Sequence, residues 1–312
     1  MTPSGTDNSH HAGLAAAVSA YLIWGFSPVY WKCLQSVPAF EILMHRIVWS
    51  FVFLVPLVLY QRRAREFTAA IRSGKAILAL AASTLLVSVN WFLFIWAINS
   101  GHILQTSLGY YIAPLVNVLL GMVFLKERLR RLQVAALILA TASVVSLTVR
   151  FGGFPWVSLS LAFSFGFYGL IRKIAPVGAL VGLTVETLVL SLPATAYLVF
   201  LDTAGRGSFL RAGAGVSTLL MGAALVTALP LLLFTVGARR LHYTTMGFLQ
   251  YIAPSCTFLL ATLIYHEPLN TGQLAAFALI WTALFLYSLD AAGAYRRNGK
   301  TREMAKETAL RR

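Results

Sequence analysis

Three ionisable side chains stand close together in a stretch of sequence that is otherwise apolar. Glu41, His45 and Arg46 lie at positions i, i+4 and i+5, so in a helix the first two share a face and the third lies one step round it. Such a group could form a charged gate or hold an anionic group of a ligand. The alternative is an ion pair that orients the helix end, with Arg46 reaching toward polar surroundings. The spacing leaves both interpretations open.

Glu186 is an isolated carboxyl group in a second apolar stretch. Its helix is expected to begin near residue 179, which places the carboxyl group about 10 Å from that helix end at 1.5 Å per residue. No Lys or Arg lies within one helical turn of it along the chain. An ionised carboxylate in apolar surroundings needs a partner or a water-filled cavity. Glu186 is therefore predicted either to relay a proton or pair with a ligand amine, or to be a static, hydrogen-bonded structural residue.

Amide and aromatic side chains in the apolar stretches form a second set of candidates. The amides could contact a ligand or join helices by hydrogen bonds, and they are Asn90, Gln105, Asn117 and Gln250. The aromatic side chains could line a cavity or pack in the core, and they are Trp24, Tyr110, Tyr111, Tyr168 and Tyr251. Pro114 and Pro254 follow three of these tyrosines, and each proline removes a backbone hydrogen bond from its helix. Helix breaks that face a cavity are therefore predicted at both prolines.

The motifs of common membrane enzymes and ATP-driven pumps are missing from the sequence. It contains no His-Glu-x-x-His and no Gly-x-x-x-x-Gly-Lys-Ser/Thr, and Asp7, Asp202 and Asp290 form no intramembrane pair. The two cysteines, Cys33 and Cys256, have no metal or redox spacing. No catalytic residue, cofactor or metal site is predicted, and the chain is not expected to be an enzyme.

The composition is that of a membrane protein. Of the 312 residues 58% are hydrophobic and 11% are charged, whereas about 25% are charged in a soluble domain. About 20 apolar residues suffice for one helical span. Ten such stretches occur, at about 12–31, 40–60, 76–99, 104–125, 132–149, 155–171, 179–201, 214–236, 244–265 and 271–291. The sequence therefore predicts an all-α integral membrane protein with ten transmembrane helices.

Basic residues are distributed unequally between the two sets of loops that alternate along the chain. The loops after even-numbered spans, together with the two tails, hold 20 of the 25 Lys and Arg residues, and the loops after odd-numbered spans hold 4. Since basic loops stay on the cytoplasmic side, both tails are predicted to be cytoplasmic, at 1–11 and at 293–312. The net charge of +15 thus reflects topology, and no nucleic-acid partner is expected.

An internal repeat relates the two halves of the chain. Residues 90–139 and 230–279 align without a gap and share 15 of 50 positions, among them the Tyr-Ile-Ala-Pro motif. Because each half has an odd number of spans, the second copy should cross the membrane in the opposite orientation. In agreement, the basic segment 126–131 has a copy at 266–271 that contains no Lys or Arg. We predict two inverted five-helix repeats, at 12–150 and 153–292, around a central cavity.

Several longer segments carry a resemblance to a known family. They include AYLIWGFSPVYWK at 20–32, EILMHRIVWSF at 41–51, SLGYYIAPLVNVLLGMVFLKERLRR at 107–131 and GFLQYIAPSCTFLLA at 247–261. Together they resemble the drug/metabolite transporter superfamily, in particular its EamA-type ten-helix permeases. The resemblance implies five plus five inverted helices around a central cavity, a location in the inner membrane, and transport of small organic molecules.

The repeat and the resemblance together favour a secondary transporter that exports a small organic metabolite or drug by alternating access. Its expected partners are that small molecule, the lipid bilayer, and a proton or another coupling ion. The alternatives are a passive channel, a membrane-embedded enzyme or a scaffold.

Reporter fusions at Gly101, Arg130 and the C-terminus test the predicted topology. Because basic loops are retained in the cytoplasm, the fusions at Arg130 and the C-terminus should report a cytoplasmic location and the fusion at Gly101 an external one. An external signal at Arg130 would contradict the topology and the inverted repeat together.

Overall fold

The computed structural model describes residues 4–151, 153–266 and 271–310, in which helices are joined by short loops. In chain order the helices are α1 (Ser4–Lys32), α2 (Ala39–Tyr60), α3 (Ala64–Arg72), α4 (Gly74–Asn99), α5 (Ile103–Phe124), α6 (Arg131–Phe151), α7 (Trp156–Ile174), α8 (Ala179–Thr203), α9 (Ala214–Arg240), α10 (Tyr243–Gln250), α11 (Ile252–Leu259) and α12 (Thr271–Leu310). A π-helical turn at Leu260–Ile264 extends α11. Ten segments of the described chain are long and apolar enough to cross a membrane, which confirms the predicted number of spans.

Two helical segments lie where the sequence predicts a loop and a tail. The short helix α3 occupies the segment between the second and third spans, where Ser73 then caps α4 by accepting a hydrogen bond from the Ala76 N–H. Helix α3 packs against α8, and its Glu66 side chain accepts a hydrogen bond from the Gly178 N–H at 3.2 Å. At the other end of the chain, α12 continues as a helix to Leu310, into the predicted C-terminal tail.

The two proline motifs have different backbones. Helix α5 runs through Pro114 without interruption, so the break predicted there is absent from this structure. One missing N–H costs a helix a single hydrogen bond, which the rest of a long helix can outweigh. The second copy is interrupted at Tyr251, between α10 and α11, and Pro254 lies in the first turn of α11. A proline is tolerated there because N–H groups in a first turn have no partner within the helix.

The helices pack in pairs that a two-fold relation between the halves would produce. Helix α1 packs along α9, and α7, the first span of the second half, packs along α4. Helix α5 packs on α7, and α10 and α11 correspondingly pack on α1. The pairs α2 with α8, α5 with α10, and α6 with α12 join equivalent spans of the two halves. This exchange of partners supports the predicted repeats, whose bounds and inversion stay predictions.

A glycine brings α10 into contact with the proline-containing helix α5. A Cβ atom at Gly247 of α10 would lie 2.6 Å from the Pro114 carbonyl oxygen of α5. Helix backbones approach this closely only where one of them lacks a side chain. Helices α5 and α10 therefore approach each other closely at Pro114 and Gly247, and Gly247 lies four residues before the second Tyr-Ile-Ala-Pro copy.

A carboxylate ties the halves together at one end of the bundle. We call the end that carries the loops 61–73, 125–130, 175–178 and 241–242 the basic end. Glu127 in one of these loops accepts hydrogen bonds from the backbone N–H groups of Tyr243 and Thr244, at 2.7 and 2.8 Å. These groups begin α10 and lack partners within it. His242 Nδ1 lies 3.6 Å from the same carboxylate.

These contacts change the protonation of both side chains. Burial alone would raise the pKa of Glu127, but the His242 imidazole 3.6 Å away and the hydrogen bonds from Thr244 and Tyr243 outweigh it and lower that pKa to about 2. The nearby Glu127 carboxylate raises the pKa of His242. The carboxylate and the imidazolium therefore stabilise each other at this end of the bundle.

Substitution of Glu127 by Gln should reduce stability at neutral pH, because an amide carries no charge and accepts fewer hydrogen bonds. The folded-state pKa lies below the ordinary value of 4.5. The carboxylate therefore stabilises the fold at pH values above 4.5, and this contribution is lost as the pH falls toward about 2. We expect a difference in unfolding free energy of about 3 kcal/mol at pH 7, reduced by more than half at about pH 3. Thermal unfolding in detergent measures it, with the exposed Asp202→Asn as control. Equal melting temperatures of wild type and Glu127→Gln at pH 7 would contradict the role of this carboxylate.

Candidate functional site

An internal cavity lies in the half of the bundle away from the basic end. Tyr110 is about two turns from the beginning of α5 and lies near Arg46, and 52% of its surface is accessible. Arg46, about two turns from the beginning of α2, contacts side chains of three other helices and is only half-buried. A side chain that lies among several helices and still has accessible surface faces a space between those helices. Both residues therefore line a cavity.

One hydrogen bond and two aromatic rings position the guanidinium group of Arg46. Its Nε donates to Thr227 Oγ1 of α9 at 2.8 Å. Its Cζ lies 4.8 Å from the centre of the Trp31 ring on α1 and 5.6 Å from that of the Trp91 ring on α4. The faces of aromatic rings attract cations, which favours a charged side chain at this depth. Four helices of the bundle thus meet at Arg46.

Glu41 and His45 face a loop instead of the cavity. The carboxylate of Glu41 accepts hydrogen bonds from the backbone N–H and the hydroxyl of Ser208, at 2.6 and 2.9 Å. His45 Nε2 is 3.9 Å from that carboxylate, and its ring centre is 5.1 Å from that of Phe209. Both contacts belong to the loop between α8 and α9, which they hold against α2. The group predicted from the sequence is therefore divided, because Arg46 points to a different side of its helix.

The amide candidates make hydrogen bonds between helices. Asn117 Nδ2 of α5 donates to Gln250 Oε1 of α10 at 2.5 Å. Asn90 Nδ2 of α4 donates to Ser164 Oγ and to a backbone carbonyl of α7, both at 2.9 Å. The Gln105 side chain accepts from a backbone N–H at the start of α7 at 3.1 Å. These contacts agree with the interpretation that the amides join helices by hydrogen bonds. A direct contact of the amides with a ligand stays a prediction.

The aromatic candidates other than Tyr110 pack in two places. The ring centres of Trp24 and Tyr168 lie 5.7 and 5.8 Å from that of Phe165, so these two residues share one aromatic cluster. The hydroxyl of Tyr251 donates to the backbone carbonyl of Tyr111 at 3.3 Å, which joins the two copies of the repeated motif. Trp24 and Tyr111 are half-buried, whereas Tyr168 and Tyr251 are fully buried.

Glu186 has a counter-charge on a neighbouring helix. Arg172 Nε of α7 lies 3.6 Å from Glu186 Oε1 of α8, and the two side chains are 0% and 2% accessible. Ser83 of α4 donates to Oε1 at 2.5 Å, and the Tyr168 hydroxyl lies 3.4 Å from Oε2. Arg172 Nη2 also donates to the Ala179 carbonyl at 2.9 Å. In this conformation Arg172 therefore compensates the charge of Glu186, and both side chains are sealed from solvent.

Arg172 is absent from the candidates that the sequence offers, because it falls among the basic residues that follow the sixth predicted span. That assignment to a loop is wrong, since α7 continues to Ile174 and Arg172 is fully buried. Gly182 of α8 makes room for the guanidinium group, with which a Cβ atom at this position would collide. The signal that could have revealed the pair is the spacing of Gly182 and Glu186 at i and i+4, which puts a vacant place and a carboxylate on one helix face.

The basic end of the bundle is closed by reciprocal contacts between α7 and α9. Lys173 Nζ of α7 donates to the carbonyls of Ala238 and Leu241, at 2.6 and 2.5 Å. Arg239 Nη1 of α9 donates to the Ala175 carbonyl at 2.7 Å. Carbonyls at the end of a helix lack partners within it and attract cations. Access to the cavity is therefore from the end opposite the basic end.

The cavity contains groups that can bind a ligand. A guanidinium group, a phenol and aromatic ring faces can hold a small molecule by charge, hydrogen bonding and stacking. Across the described ranges, no group of three or more His, Cys, Asp and Glu residues could hold a metal ion. These groups are of the types that bind small molecules, and they lie in the half of the bundle away from the basic end.

Comparisons with known proteins bear on the same bundle. Residues 11–149 match the EamA-like transporter family. The chain is 46% identical over 279 residues to "Protein RarD" of Salmonella typhi, which covers 89% of this chain and 95% of that protein. It is 44% identical to "Protein RarD" of Escherichia coli strain K12, with 92% and 97% covered. It is 30% identical to "Chloramphenicol-sensitive protein RarD" of Pseudomonas aeruginosa, again with 92% and 97% covered.

A solved crystal structure has a similar fold. It is 18% identical in sequence, superposes with a TM-score of 0.71, and covers 90% of this chain and 98% of its own. At this identity the likeness concerns the fold alone. The helical arrangement is therefore one that an experimentally determined protein also adopts.

The buried pair Arg172 and Glu186 predicts a specific pattern of stability. Glu186→Gln leaves a buried guanidinium group without its counter-charge, so it should cost about 3–5 kcal/mol in unfolding free energy. Combination with Arg172→Met removes the stranded charge and should recover at least half of that loss. The measurement is unfolding in mixed detergent micelles.

Arg63→Met with Glu66→Gln is the matched control, since that pair has the same 3.6 Å separation but is 43% and 40% accessible. Its variants should differ from the wild type by about 1 kcal/mol or less. If Glu186→Gln unfolds like the wild type, the buried pair does not stabilise the bundle.

Proposed function

We propose that this chain, which belongs to the EamA-like transporter family and matches RarD proteins over nearly its whole length, is a secondary transporter that exports a small organic metabolite or drug. The family and the ten spans make it a multi-pass protein of the inner membrane with a small-molecule substrate. Export, and alternating access as the mechanism, are the further steps of this proposal.

The observation that carries the proposal is a cavity open in one half of the bundle and closed in the other. Tyr110 and Arg46 are accessible deep inside the protein, while Lys173 and Arg239 seal the basic end with hydrogen bonds to helix ends. A carrier must alternate between two such one-sided states. If the basic end is cytoplasmic, as its charge predicts, this conformation is open to the outside.

The contacts that close the basic end identify what has to change during transport. The contacts of Lys173 and Arg239 join α7 with α9 within the second half. The contact of Glu127 with α10 joins the first half with the second. Rocking of the halves would separate Glu127 from α10, and a shift of α7 against α9 would break the contacts within the second half, so that water reaches the cavity from the cytoplasm. The basic end would then open. The loop between α8 and α9, which Glu41 holds, would close the opposite end.

Glu186 is the proposed site of a coupling proton. Arg172 neutralises it in the present state, in which the basic end is closed. Opening of that end brings water to the pair, so Glu186 exchanges a proton with that water only in the open state, because in the closed state the carboxylate is paired with Arg172 and sealed. Transport by the folded fraction of Glu186→Gln in proteoliposomes should then become independent of pH between about 5.5 and 8 or be lost, and loss counts only per amount of folded protein because the substitution also destabilises the bundle; an unchanged pH profile excludes this role.

A passive channel and a membrane-embedded enzyme or scaffold are the competing functions. The closed basic end gives no continuous pore in this conformation. Membership of a transporter family favours transport over catalysis. A channel would need a second conformation in which both ends are open at once, and a carrier would need one in which they have exchanged.

The proposed transport is tested first in cells and then in proteoliposomes. A strain that overproduces the protein should accumulate an organic metabolite in its medium, and a deletion strain should retain that metabolite inside. Chloramphenicol is a second probe, because it appears in the name of one relative. In vesicles loaded with the identified compound, the labelled compound should show a saturable, transient overshoot. Equilibration without an overshoot would indicate a channel, and chemical conversion of the compound an enzyme.

A further inference from the structure

We propose that Arg46 binds the carboxylate of a small organic anion, and that the substrate of this cavity is therefore a monocarboxylate with an apolar or aromatic body. This inference rests on the proposed function, since it takes the cavity as the substrate path. It depends on three observations. They are the charge balance of the bundle, the free edge of the guanidinium group, and the aromatic walls around it.

The charge balance leaves Arg46 without a counter-charge. Within the described part of the chain, each carboxylate with a described side chain has other partners. Glu186 pairs with Arg172, Glu127 caps α10, and Glu41 binds Ser208. The remaining three form ion pairs outside the cavity, and they are Glu66 with Arg63, Asp202 with Arg211, and Asp290 with Arg130. Since buried cations require compensation, the cavity is prepared for an anion from outside the chain.

The guanidinium group has an edge that is free to bind. Its Nε is held by Thr227, and no residue in the described ranges accepts a hydrogen bond from its two terminal nitrogens. Neither terminal nitrogen is among the buried polar atoms that lack a partner, so both reach the accessible space. Two parallel N–H groups match the two oxygens of a carboxylate, which explains why an arginine is suited to this place. The fixed Nε sets the plane in which a carboxylate would lie.

The surroundings of this edge suit an apolar body. Trp31 and Trp91 flank the guanidinium group, and Tyr110 stands near it with its ring centre 6.2 Å from that of Phe94. The Tyr110 hydroxyl can donate to a carboxylate oxygen, while the rings can stack on a planar body. A single cation matches a single negative charge. The headgroup of an anionic lipid offers similar charge, and the experiment includes it as a separate arm.

Isothermal titration calorimetry of the purified, full-length protein tests the proposal with three probes of similar shape. Benzoate carries the charge that the site requires, benzamide is neutral, and benzylamine is positive. We expect benzoate to bind at least about tenfold more tightly than either of the others, because a charge-assisted hydrogen bond contributes this much. Equal or weaker binding of benzoate overturns the inference without any substitution.

Substitutions assign the binding to Arg46. Arg46→Gln should weaken benzoate binding about tenfold to hundredfold and leave benzamide unchanged. Arg46→Lys keeps the charge but loses the planar fork, so its loss should be smaller. Thr227→Val, at a positioning residue, should cost a few-fold. Arg211→Gln, an exposed arginine at the same end of the bundle, is the matched control and should bind benzoate like the wild type.

Other outcomes separate this inference from the proposed function. Exchange of a neutral or cationic metabolite, with no benzoate binding, overturns the substrate class and leaves the transporter intact. Arg46-dependent binding of benzoate, without exchange of any compound in vesicles, supports the site and contradicts the transporter. If phosphatidylglycerol competes with benzoate and phosphatidylcholine does not, the site binds a lipid headgroup, which contradicts the inference that its ligand is a metabolite. If Arg46→Gln does not fold, Arg46→Lys and Thr227→Val still decide the role of Arg46.

Discussion

An ionisable side chain inside a membrane-spanning bundle must find a counter-charge, water or an aromatic surface, and most of the polar architecture of this protein follows from that constraint. Arg172 and Glu186 meet it by pairing with each other in a sealed cluster. Arg46 meets it with the hydroxyl of Thr227 and with the faces of Trp31 and Trp91, and it keeps an accessible edge. The first solution stabilises a closed region. The second keeps a charge available, which a structural residue does not require.

The residues that determine topology also close the bundle. Lys173 and Arg239 belong to the basic loops that are retained on one side of a membrane. In the folded chain they donate hydrogen bonds to the carbonyls at the ends of α7 and α9, where helices bind cations. Glu127 binds the N–H groups at the beginning of α10 by the complementary rule. One distribution of charge can thus orient the chain during insertion and hold one of its ends shut afterwards.

The sequence is sufficient to predict the ten spans, the internal repeat and the family, because each depends on composition or on matching residues along the chain. It does not reveal which residues meet across helices. Glu41, His45 and Arg46 form one group in the sequence, but Arg46 faces the cavity and the other two hold a loop, since the neighbouring helices determine where each face points. Arg172 is missed for a related reason. Its partner Glu186 lies on another helix, so the spacing of Gly182 and Glu186 along α8 indicates space beside a carboxylate but not which cation fills it.

The two copies of the Tyr-Ile-Ala-Pro motif show most directly that tertiary contacts decide local structure here. One copy lies within the continuous helix α5, and the other spans the interruption between α10 and α11. The four residues are the same, so the difference must come from their surroundings. Gly247 packs against the Pro114 carbonyl, whereas Pro254 occupies a first turn in which its missing N–H costs nothing. A bundle that is open at one end and closed at the other requires such a difference between its halves, because two identical halves would leave both ends alike.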